Sequence, residues 1–350
     1  KMSKSLGNVV DPNTIIKRNG SEILRLWVSM VDYREEMRLG DEILARVVEA
    51  YRKIRNTLRV MVGNLYDFDP STDIVPHNEL EEVDRYALAR YGETAAKILD
   101  AYECYKFQPI SHAANQFLTV DLSSFYVDIS KDRLYTLAAN SRERRSVQTA
   151  LYIITDGLTR LLAPLLPVTT DDLWTFLPGT RESSVHLADF PVNHKEFVDT
   201  DLLARWKRLL ALREQVNVRL EGLRQAKIVG TSLEATVTIR PTGITAALVE
   251  KYKQFLPTLF ITSNVVVTRH QSIRISQDGV PEDMESWKTL DPGAWFTEQE
   301  LDAYAGTAVI EVDRAEGTKC ERCWRYVELV SQTEQDGLCK RCIDALSETN

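Results

Sequence analysis

The sequence predicts a mainly α-helical chain, in which a helix bundle is followed by a small α/β domain and a C-terminal module built on four cysteines. Three observations support this fold class. Apolar residues recur at three- and four-residue spacing over residues 41–177, as on the buried face of a helix. Apolar and polar residues then alternate over residues 233–240, as in a half-buried strand. Two Cys-x-x-Cys pairs lie near the C-terminus, at residues 320–323 and 339–342.

The chain opens with a lysine-containing loop, residues 1–8 (KMSKSLGN). Gly7 and Asn8 favour a tight turn. Lys1 and Lys4, with the hydroxyl groups near them, can surround a polyphosphate, because a lysine acts as a mobile point charge. Such donors stabilise best the charge that develops on a leaving pyrophosphate. The alternative interpretation is a solvated basic N-terminus.

The helical pattern follows directly after this loop. Pro12 ends the loop, and Asn13-Thr14 is predicted to cap the first short helix. Pro164 and Pro167 interrupt the pattern, after which Thr169 to Asp172 is predicted to cap a short helix. The apolar spacing predicts a bundle, with helices over about residues 13–18, 21–30, 41–65, 81–102, 109–129, 143–162 and 169–177. Cys104, at a helix-like position, is predicted to be a small buried apolar residue.

The pattern changes after Pro191. A long basic helix is predicted over residues 201–227, and a shorter helix over residues 244–255. The alternating or short apolar runs predict strands at residues 233–240, 259–261, 265–268 and 308–312. We therefore expect a small α/β domain after the bundle.

The cysteines have the spacing of metal ligands. Cys320 and Cys323 form one pair, Cys339 and Cys342 form the other, and residues 324–338 lie between them. This fits the Cys-x2-Cys…Cys-x2-Cys pattern of a tetrahedral zinc site. Four thiolates leave no open position, so we expect one structural Zn²⁺. Its negative shell should be stabilised by the cations nearby, which are Lys319, Arg322, Arg325, Lys340 and Arg341. The alternative is a pair of disulfides, which a cytosolic chain does not favour.

The charge distribution bears on possible partners. The net charge of −8 argues against a protein coated with nucleic acid, but the cations are segregated. Residues 46–59 carry five cations and residues 205–227 carry seven. Each run suits a partner bound along a selected surface, and a solvated helix face is the alternative. No run of about 18 apolar residues is present, so we expect no membrane span.

The opening loop resembles the signature loop of class I aminoacyl-tRNA synthetases. Its continuation, residues 9–12, 15–16, 23–28 and 32–33, is similar to that of the isoleucyl-tRNA synthetase family of bacterial type. Further similar segments are residues 50–57, 64–68, 121–126, 131–135, 144–146, 232–235 and the cysteine module. The chain departs from the family at residues 19–22, where Asn-Gly-Ser-Glu replaces Tyr-Gly-Ala-Asp, and it has no His-Ile-Gly-His-type element.

This resemblance implies that the chain is the C-terminal, tRNA-binding part of an enzyme that activates isoleucine with ATP and Mg²⁺ and ligates it to tRNA(Ile). The intact enzyme is expected to be a cytoplasmic monomer, and this chain alone to be inactive. The implied domains are residues 1–40 (end of the catalytic domain with the lysine loop), 41–192 (anticodon-binding bundle), 193–314 (α/β junction domain) and 315–350 (zinc finger).

The resemblance also implies site residues. Lys1 and Lys4 would be catalytic, and would bind ATP together with Ser3 and Ser5. The implied tRNA contacts are Lys131, Arg133, Arg144, Arg145, Arg322, Trp324 and Arg325, with Trp324 stacking on an unpaired base. Three alternatives remain open: a valyl- or leucyl-type synthetase fragment, a free-standing tRNA-binding module, and a DNA-binding protein with a zinc ribbon. The terminal cysteines argue against the first and the long bundle against the last.

Overall fold

A computed structural model describes residues 5, 7, 9–268, 308–327 and 337–348. The chain is mainly α-helical, as predicted. It forms two compact units, the first made of Lys1–Ser130 and Ser141–Val198, the second of Lys131–Asn140 and Asp199–Asn350. The four-part division of the sequence stays a prediction.

The first unit is built from helices that begin and end close to their predicted positions. They are α1 (Pro12–Asn19), α2 (Ser21–Met30), α3 (Asp41–Gly63), α4 (Glu82–Glu103), α5 (Phe107–Gln116), the first residues of α6 (Val127–Thr136), α7 (Arg142–Leu162) and α8 (Pro167–Trp174). Short 3₁₀ turns occur at His77–Glu79, Val185–Leu187 and Asn193–Phe197. Among the described residues, no helix is long and apolar enough to cross a membrane.

Two helix boundaries differ from the prediction for local reasons. α1 is capped by Asp11, whose Oδ1 accepts a hydrogen bond from the N–H of Asn13 at 2.9 Å, so the predicted cap at Asn13-Thr14 was wrong. Pro12 occupies the first helical turn, where its missing N–H costs nothing. α5 and α6 are joined by a π-helical segment, Phe117–Tyr126, so the helical run continues past the predicted end near residue 129.

α4 and α7 lie at the centre of the first unit, as shown by the burial of most residues of each helix. Their contact depends on a glycine. A Cβ atom at Gly157 of α7 would lie 1.8 Å from the hydroxyl oxygen of Tyr91 on α4. The absent side chain therefore lets Tyr91 pack against α7 in a core that has little free volume.

Glu22 of α2 caps the start of α8, which follows the proline-containing segment between α7 and α8. A helix start leaves backbone N–H groups without partners. Glu22, only 8% exposed, accepts hydrogen bonds from the N–H groups of Val168 at 2.9 Å and Thr169 at 3.0 Å, and from the Thr169 hydroxyl. A carboxylate at this end also complements the helix dipole. The predicted cap at Thr169 to Asp172 was therefore wrong, since α8 begins at Pro167.

Arg25 of α2 binds backbone carbonyls at the other end of this proline-containing segment, just after α7. Its Nε donates to the carbonyl of Leu165 at 3.2 Å and its Nη2 to the carbonyl of Pro164 at 2.5 Å, just beyond the end of α7. A cation at a helix C-terminus again complements the dipole. The two charged residues of α2 therefore hold the bundle together where its prolines interrupt it.

The second unit contains a long helix and a small sheet. Its elements are α9 (Thr200–Gln225), the 3₁₀ turn Ser232–Glu234, β1 (Ala235–Pro241), α10 (Gly243–Lys251), α11 (Leu256–Phe260), β2 (Asn264–Val267) and β3 (Ala308–Arg314). The strand order is β2-β1-β3, with β1 parallel to β2 and antiparallel to β3. Ala235, Val237 and Ile239 are fully buried, which confirms the alternation predicted for β1.

Two further sequence predictions were wrong, one for a strand of the second unit and one for a cysteine of the helix bundle. Residues 259–261, predicted as a strand, belong to or follow α11, because Pro257 in its first turn favours a helix start and a short apolar run does not distinguish the two states. Cys104 is exposed rather than buried, because it caps the C-terminus of α4 instead of continuing its apolar face.

Candidate metal centre and nucleic-acid interface

The four predicted metal ligands lie on a short ribbon and a helix. β4 (Thr318–Lys319) pairs antiparallel with β5 (Tyr326–Val327), and Cys320 and Cys323 lie in the turn between them. Cys339 immediately precedes α12 (Lys340–Ser347), and Cys342 lies in its first turn. All four side chains are buried, and they pack beside Val327 and Leu338.

The sulfur positions fit one tetrahedral ion. Cys320 Sγ lies 3.8 Å from Cys342 Sγ, Cys323 Sγ lies 3.7 Å from Cys339 Sγ, and all four sulfurs lie within 4.8 Å of one another. Four thiolates about 2.3 Å from a central Zn²⁺ are about 3.8 Å apart. A disulfide needs about 2.05 Å. These distances exclude the alternative of two disulfides and support a structural zinc site.

The thiols have unequal acidities. Burial raises the pKa of Cys320, but backbone N–H groups, including that of Cys339 at 3.3 Å from its Sγ, hold the pKa at about 6. Burial, together with the neighbouring sulfurs, raises the pKa of Cys323 and of Cys342. Those two thiols therefore need the charge of a metal ion to become thiolates, as in other zinc sites.

Two cations of the cysteine module, Arg325 and Arg341, bind a carboxylate of α6. Arg341 makes a two-pronged contact with Asp132, Nη1 to Oδ2 at 2.7 Å and Nη2 to Oδ1 at 2.6 Å. Arg325 Nη2 lies 3.1 Å from Oδ2 of the same carboxylate. We call these three residues the Asp132 clamp. Burial raises the pKa of Asp132, but the two arginines outweigh it and hold that pKa below its ordinary value.

Trp324 is held in place but left accessible. Its backbone is left-handed, with φ at 63°, and its indole is 59% exposed. Its N–H donates to the carbonyl of Cys320 at 2.9 Å and its Nε1 to the carbonyl of Glu321 at 3.1 Å. Lys319 Nζ lies 5.5 Å from the ring centroid. An ordered, exposed aromatic ring beside a cation is suited to stacking with a nucleobase.

The other predicted contact residues differ in accessibility. Lys131 is exposed, Arg133 is buried, and Arg322 is half-buried and donates to the carbonyl of Cys342 at 3.2 Å. Their roles toward RNA stay predictions.

Arg144 and Arg145 have structural partners within the first unit. Arg144, 4% exposed, binds both carboxylate oxygens of Asp67, at 2.6 and 3.0 Å. Arg145 donates to the Asp67 carbonyl and to Gln148, each at 2.8 Å. Both guanidinium groups hold the segment after α3, and their predicted RNA contacts remain untested.

The predicted phosphate loop is largely outside the described residues, since Lys1, Ser3 and Lys4 are not among them. Ser5 is described and exposed. Sequence reasoning missed Asp132, whose partners lie 193 and 209 residues away along the chain, a separation at which no local pattern indicates a contact.

Three family models match the chain. "tRNA synthetases class I (I, L, M and V)" matches residues 1–40. "Anticodon-binding domain of tRNA ligase" matches residues 84–239. "Zinc finger found in FPG and IleRS" matches residues 317–345, which include the four cysteines.

Curated relatives match over nearly the whole chain. The isoleucine–tRNA ligase of Syntrophotalea carbinolica is 42% identical over 350 residues, 99% of this chain and 35% of the relative. That of Symbiobacterium thermophilum is 42% identical over 355 residues, 100% of this chain and 36% of the relative. That of Bacillus cereus G9842 is 41% identical over 351 residues, 99% of this chain and 35% of the relative. The chain thus spans about a third of the length of these relatives.

One solved structure, the ternary complex of Agrobacterium radiobacter K84 agnB2 LeuRS with tRNA and LeuAMS, is similar to part of the chain. The matched region covers 57% of this chain and 23% of the chain in that structure. Its TM-score is 0.43 at 18% identity, too low to define the fold.

The matched models and the four-cysteine site define a class I tRNA-ligase chain with an anticodon-binding domain and a zinc finger. More particularly, the chain belongs to the isoleucyl-tRNA synthetase family and corresponds to the C-terminal part of those enzymes. The resemblance predicted from the sequence is therefore confirmed.

Proposed function

We propose that the chain binds tRNA(Ile) on behalf of a ligase that activates isoleucine with ATP and transfers it to that tRNA. The observation that carries this proposal is the Trp324 ring, held on the cysteine turn by two hydrogen bonds and left exposed. A fixed ring loses little conformational entropy when a base stacks on it. The anticodon-binding match over residues 84–239 and the 42% identical relatives support the same proposal.

Within this function the parts have separate roles. The helices of residues 41–192 bind the anticodon stem-loop, and the α/β domain (193–314) and zinc finger (315–350) extend that contact. Lys1 and Lys4 bind the ATP phosphates with Ser3 and Ser5 in the whole ligase, where Mg²⁺ accompanies ATP. Among the predicted tRNA contacts, Lys131 is exposed and Arg322 and Arg325 are partly exposed, and these three supply further contacts to tRNA. Arg133 and Arg144 are buried, and Arg144 and Arg145 bind Asp67, so these three serve the fold.

One structural zinc keeps Trp324 in position. Cys320, Cys323, Cys339 and Cys342 fill its coordination shell, so it supplies local folding rather than catalysis. None of the five cysteines of the chain forms a disulfide, which suits a reducing compartment. The ligase is accordingly a cytoplasmic enzyme, and we propose that it acts as a monomer.

Binding of RNA fragments tests this proposal. We expect an anticodon stem-loop of tRNA(Ile) to compete with the whole tRNA for the chain, and an acceptor minihelix not to compete. Trp324→Ala should weaken binding about tenfold, because base–aromatic stacking contributes on the order of 1–3 kcal/mol. Trp324→Phe, which keeps an aromatic face, should restore most of the affinity.

Tyr105→Ala is the matched control. Tyr105 is also aromatic, exposed (71%) and left-handed, with φ at 54°, but it follows α4, away from the cysteine turn in sequence. Its replacement should leave affinity unchanged. Equal loss from both variants, or competition by the minihelix alone, would contradict the proposal.

A further inference from the structure

The orientation of Trp324 relative to the rest of its unit is not determined by the metal site alone. Four ligands around one ion fix only the internal geometry of the cysteine turn. The ribbon that carries this turn has two residues in each strand, Thr318–Lys319 in β4 and Tyr326–Val327 in β5. A two-stranded ribbon is marginally stable by itself. Contacts outside the ribbon are therefore needed to hold the indole in one direction.

The first strand of the ribbon is joined to the sheet by a short connection. Ala315, directly after β3, donates its N–H to the carbonyl of Glu234 at 2.7 Å. Glu316 and Gly317 then lead into β4, and both are exposed. Gly317 has a φ of 100°, a conformation that glycine adopts at little cost. This connection brings the base of the ribbon to the start of β1.

The second strand of the ribbon is held by a serine that lies between α11 and β2. The Oγ of Ser263 accepts a hydrogen bond from the N–H of Tyr326 in β5 at 2.7 Å. The same hydroxyl donates to the carbonyl of Leu233, and the N–H of Ser263 donates to the carbonyl of Ala235 at 3.2 Å. Ser263 therefore joins the start of β1 to the backbone of the ribbon. We call these three hydrogen bonds the Ser263 junction.

The Ser263 junction acts on the backbone beside Trp324. Tyr326, which it holds, follows Trp324 by two residues. The turn before Tyr326 is closed, because the N–H of Trp324 donates to the carbonyl of Cys320 and the N–H of Cys320 donates to the carbonyl of Arg325, each at 2.9 Å. A displacement of β5 therefore changes the direction of the indole.

The Asp132 clamp restrains this backbone less directly. Arg325 reaches Asp132, and at 3.4 Å the Thr258 hydroxyl, through its guanidinium group. Because that group lies at the end of a long side chain with many rotamers, the backbone can shift while the ion pair is kept. Ser263 binds a backbone N–H itself. The left-handed backbone of Trp324 requires such support, since this conformation persists where the surrounding structure holds it.

We propose that Ser263 is a positioning residue for Trp324, which fixes the direction of the indole for stacking on an RNA base without touching the RNA. The inference rests on the proposed function, because it concerns how the ring of that site is oriented. The Ser263 hydroxyl donates to Leu233 and accepts from Tyr326, both within the protein. Its loss should therefore lower RNA affinity through the orientation of Trp324, and a ring free to move loses more entropy on stacking.

The test uses two variants at position 263 of the 350-residue chain and a matched control. Ser263→Ala removes the hydroxyl, and Ser263→Thr keeps it. Ser347→Ala is the control, because Ser347 of α12 is an exposed serine whose Oγ also donates to a backbone carbonyl, that of Asp344, at 2.7 Å. Ser263→Ala is also combined with Trp324→Ala, which completes a double-mutant cycle.

Binding of tRNA(Ile) is measured for each variant. We expect Ser263→Ala to weaken binding about fivefold, the effect of about one hydrogen bond. Ser263→Thr should restore most of the affinity, and Ser347→Ala should leave it unchanged. In the Trp324→Ala background, Ser263→Ala should have no further effect, because a positioning residue then has no ring to orient.

The ring itself is observed by ¹⁹F NMR of the zinc-bound chain labelled with 5-fluorotryptophan. The chain has six tryptophans, and Trp324→Phe assigns the signal of Trp324 by its absence. Ser263→Ala should shift or broaden the Trp324 signal and leave those of Trp27, Trp174 and Trp206 in place. Zinc content should stay at one per chain.

Each outcome decides for or against the positioning role. Additive losses in the double variant would show that Ser263 acts independently of Trp324, and would overturn the inference. Loss of zinc from Ser263→Ala would make Ser263 a residue of local stability and overturn it too. So would unchanged tRNA affinity, whatever the NMR signal. In these cases the proposed function stands as long as Trp324→Ala alone weakens binding. Failure of the wild-type chain to bind tRNA removes both.

Discussion

Replacing Cys320 or Cys342 by serine unfolds the zinc finger and leaves the helices of the first unit folded. Both sulfurs are fully buried, and together with Cys323 and Cys339 they are placed to share one ion. Structural zinc contributes on the order of 10 kcal/mol to local folding. Among the described residues of the finger, the cluster around the four cysteines includes only Val327 and Leu338 as further apolar side chains, so little packing replaces that contribution.

Hydrogen exchange and zinc content measure this effect. In either serine variant, the amides of residues 318–327 and 339–347 should lose protection and the bound zinc should fall from one per chain to none, while protection of α4 and α7 is unchanged. Removal of zinc by a chelator should have the same result. Cys104→Ser is the control, since Cys104 is exposed and outside the cluster, and it should change neither quantity. A finger that keeps its protection without zinc would contradict the assignment.

Replacing Asp132 by asparagine loosens the zinc finger without removing its metal. Arg325 and Arg341 of the finger both bind the Asp132 carboxylate, and the amide of asparagine removes this shared anionic partner. The cost should be about 2–3 kcal/mol of local stability, less than for a fully buried pair because the carboxylate keeps some contact with solvent. Exchange of the finger amides should accelerate accordingly, with one zinc still bound.

Asp344→Asn is the matched control, because Asp344 is an exposed carboxylate on α12 of the same finger. It should leave exchange unchanged. Since the pKa of Asp132 is held below its ordinary value, its contribution is complete above about pH 4 and is lost as the pH falls through the lower pKa of the folded chain. The comparison therefore belongs at neutral pH. Equal exchange rates in Asp132→Asn and the wild type would show that the clamp contributes nothing.

The sequence alone was sufficient to predict the structure correctly wherever a local pattern determines it. The apolar spacing of α3 predicted a helix over residues 41–65, and Asp41–Gly63 is observed. The alternation in β1 and the spacing of the four cysteines were equally informative, because register and ligand spacing are local properties.

The sequence was insufficient where the structure depends on distant partners. Glu22 caps α8 across 146 residues of chain, and Asp132 meets Arg341 across 209. Arg144, which the resemblance implies as a tRNA contact, is buried and binds Asp67, 77 residues away along the chain. The two basic runs looked alike in sequence, but the structure shows that Arg213 and Arg219 of α9 bind backbone carbonyls and that Arg205 is buried.

The affinity of the 350-residue chain for tRNA(Ile), relative to unrelated tRNAs at the same near-physiological salt, tests the central claim most directly. If the chain is the tRNA-binding part of an isoleucine-specific ligase, tRNA(Ile) should bind about tenfold or more tightly, a difference that one or two base contacts supply. That preference should shrink in Trp324→Ala and persist in Tyr105→Ala. Equal affinity of the wild-type chain for tRNA(Ile) and unrelated tRNAs would show a nonspecific RNA-binding module and contradict the account.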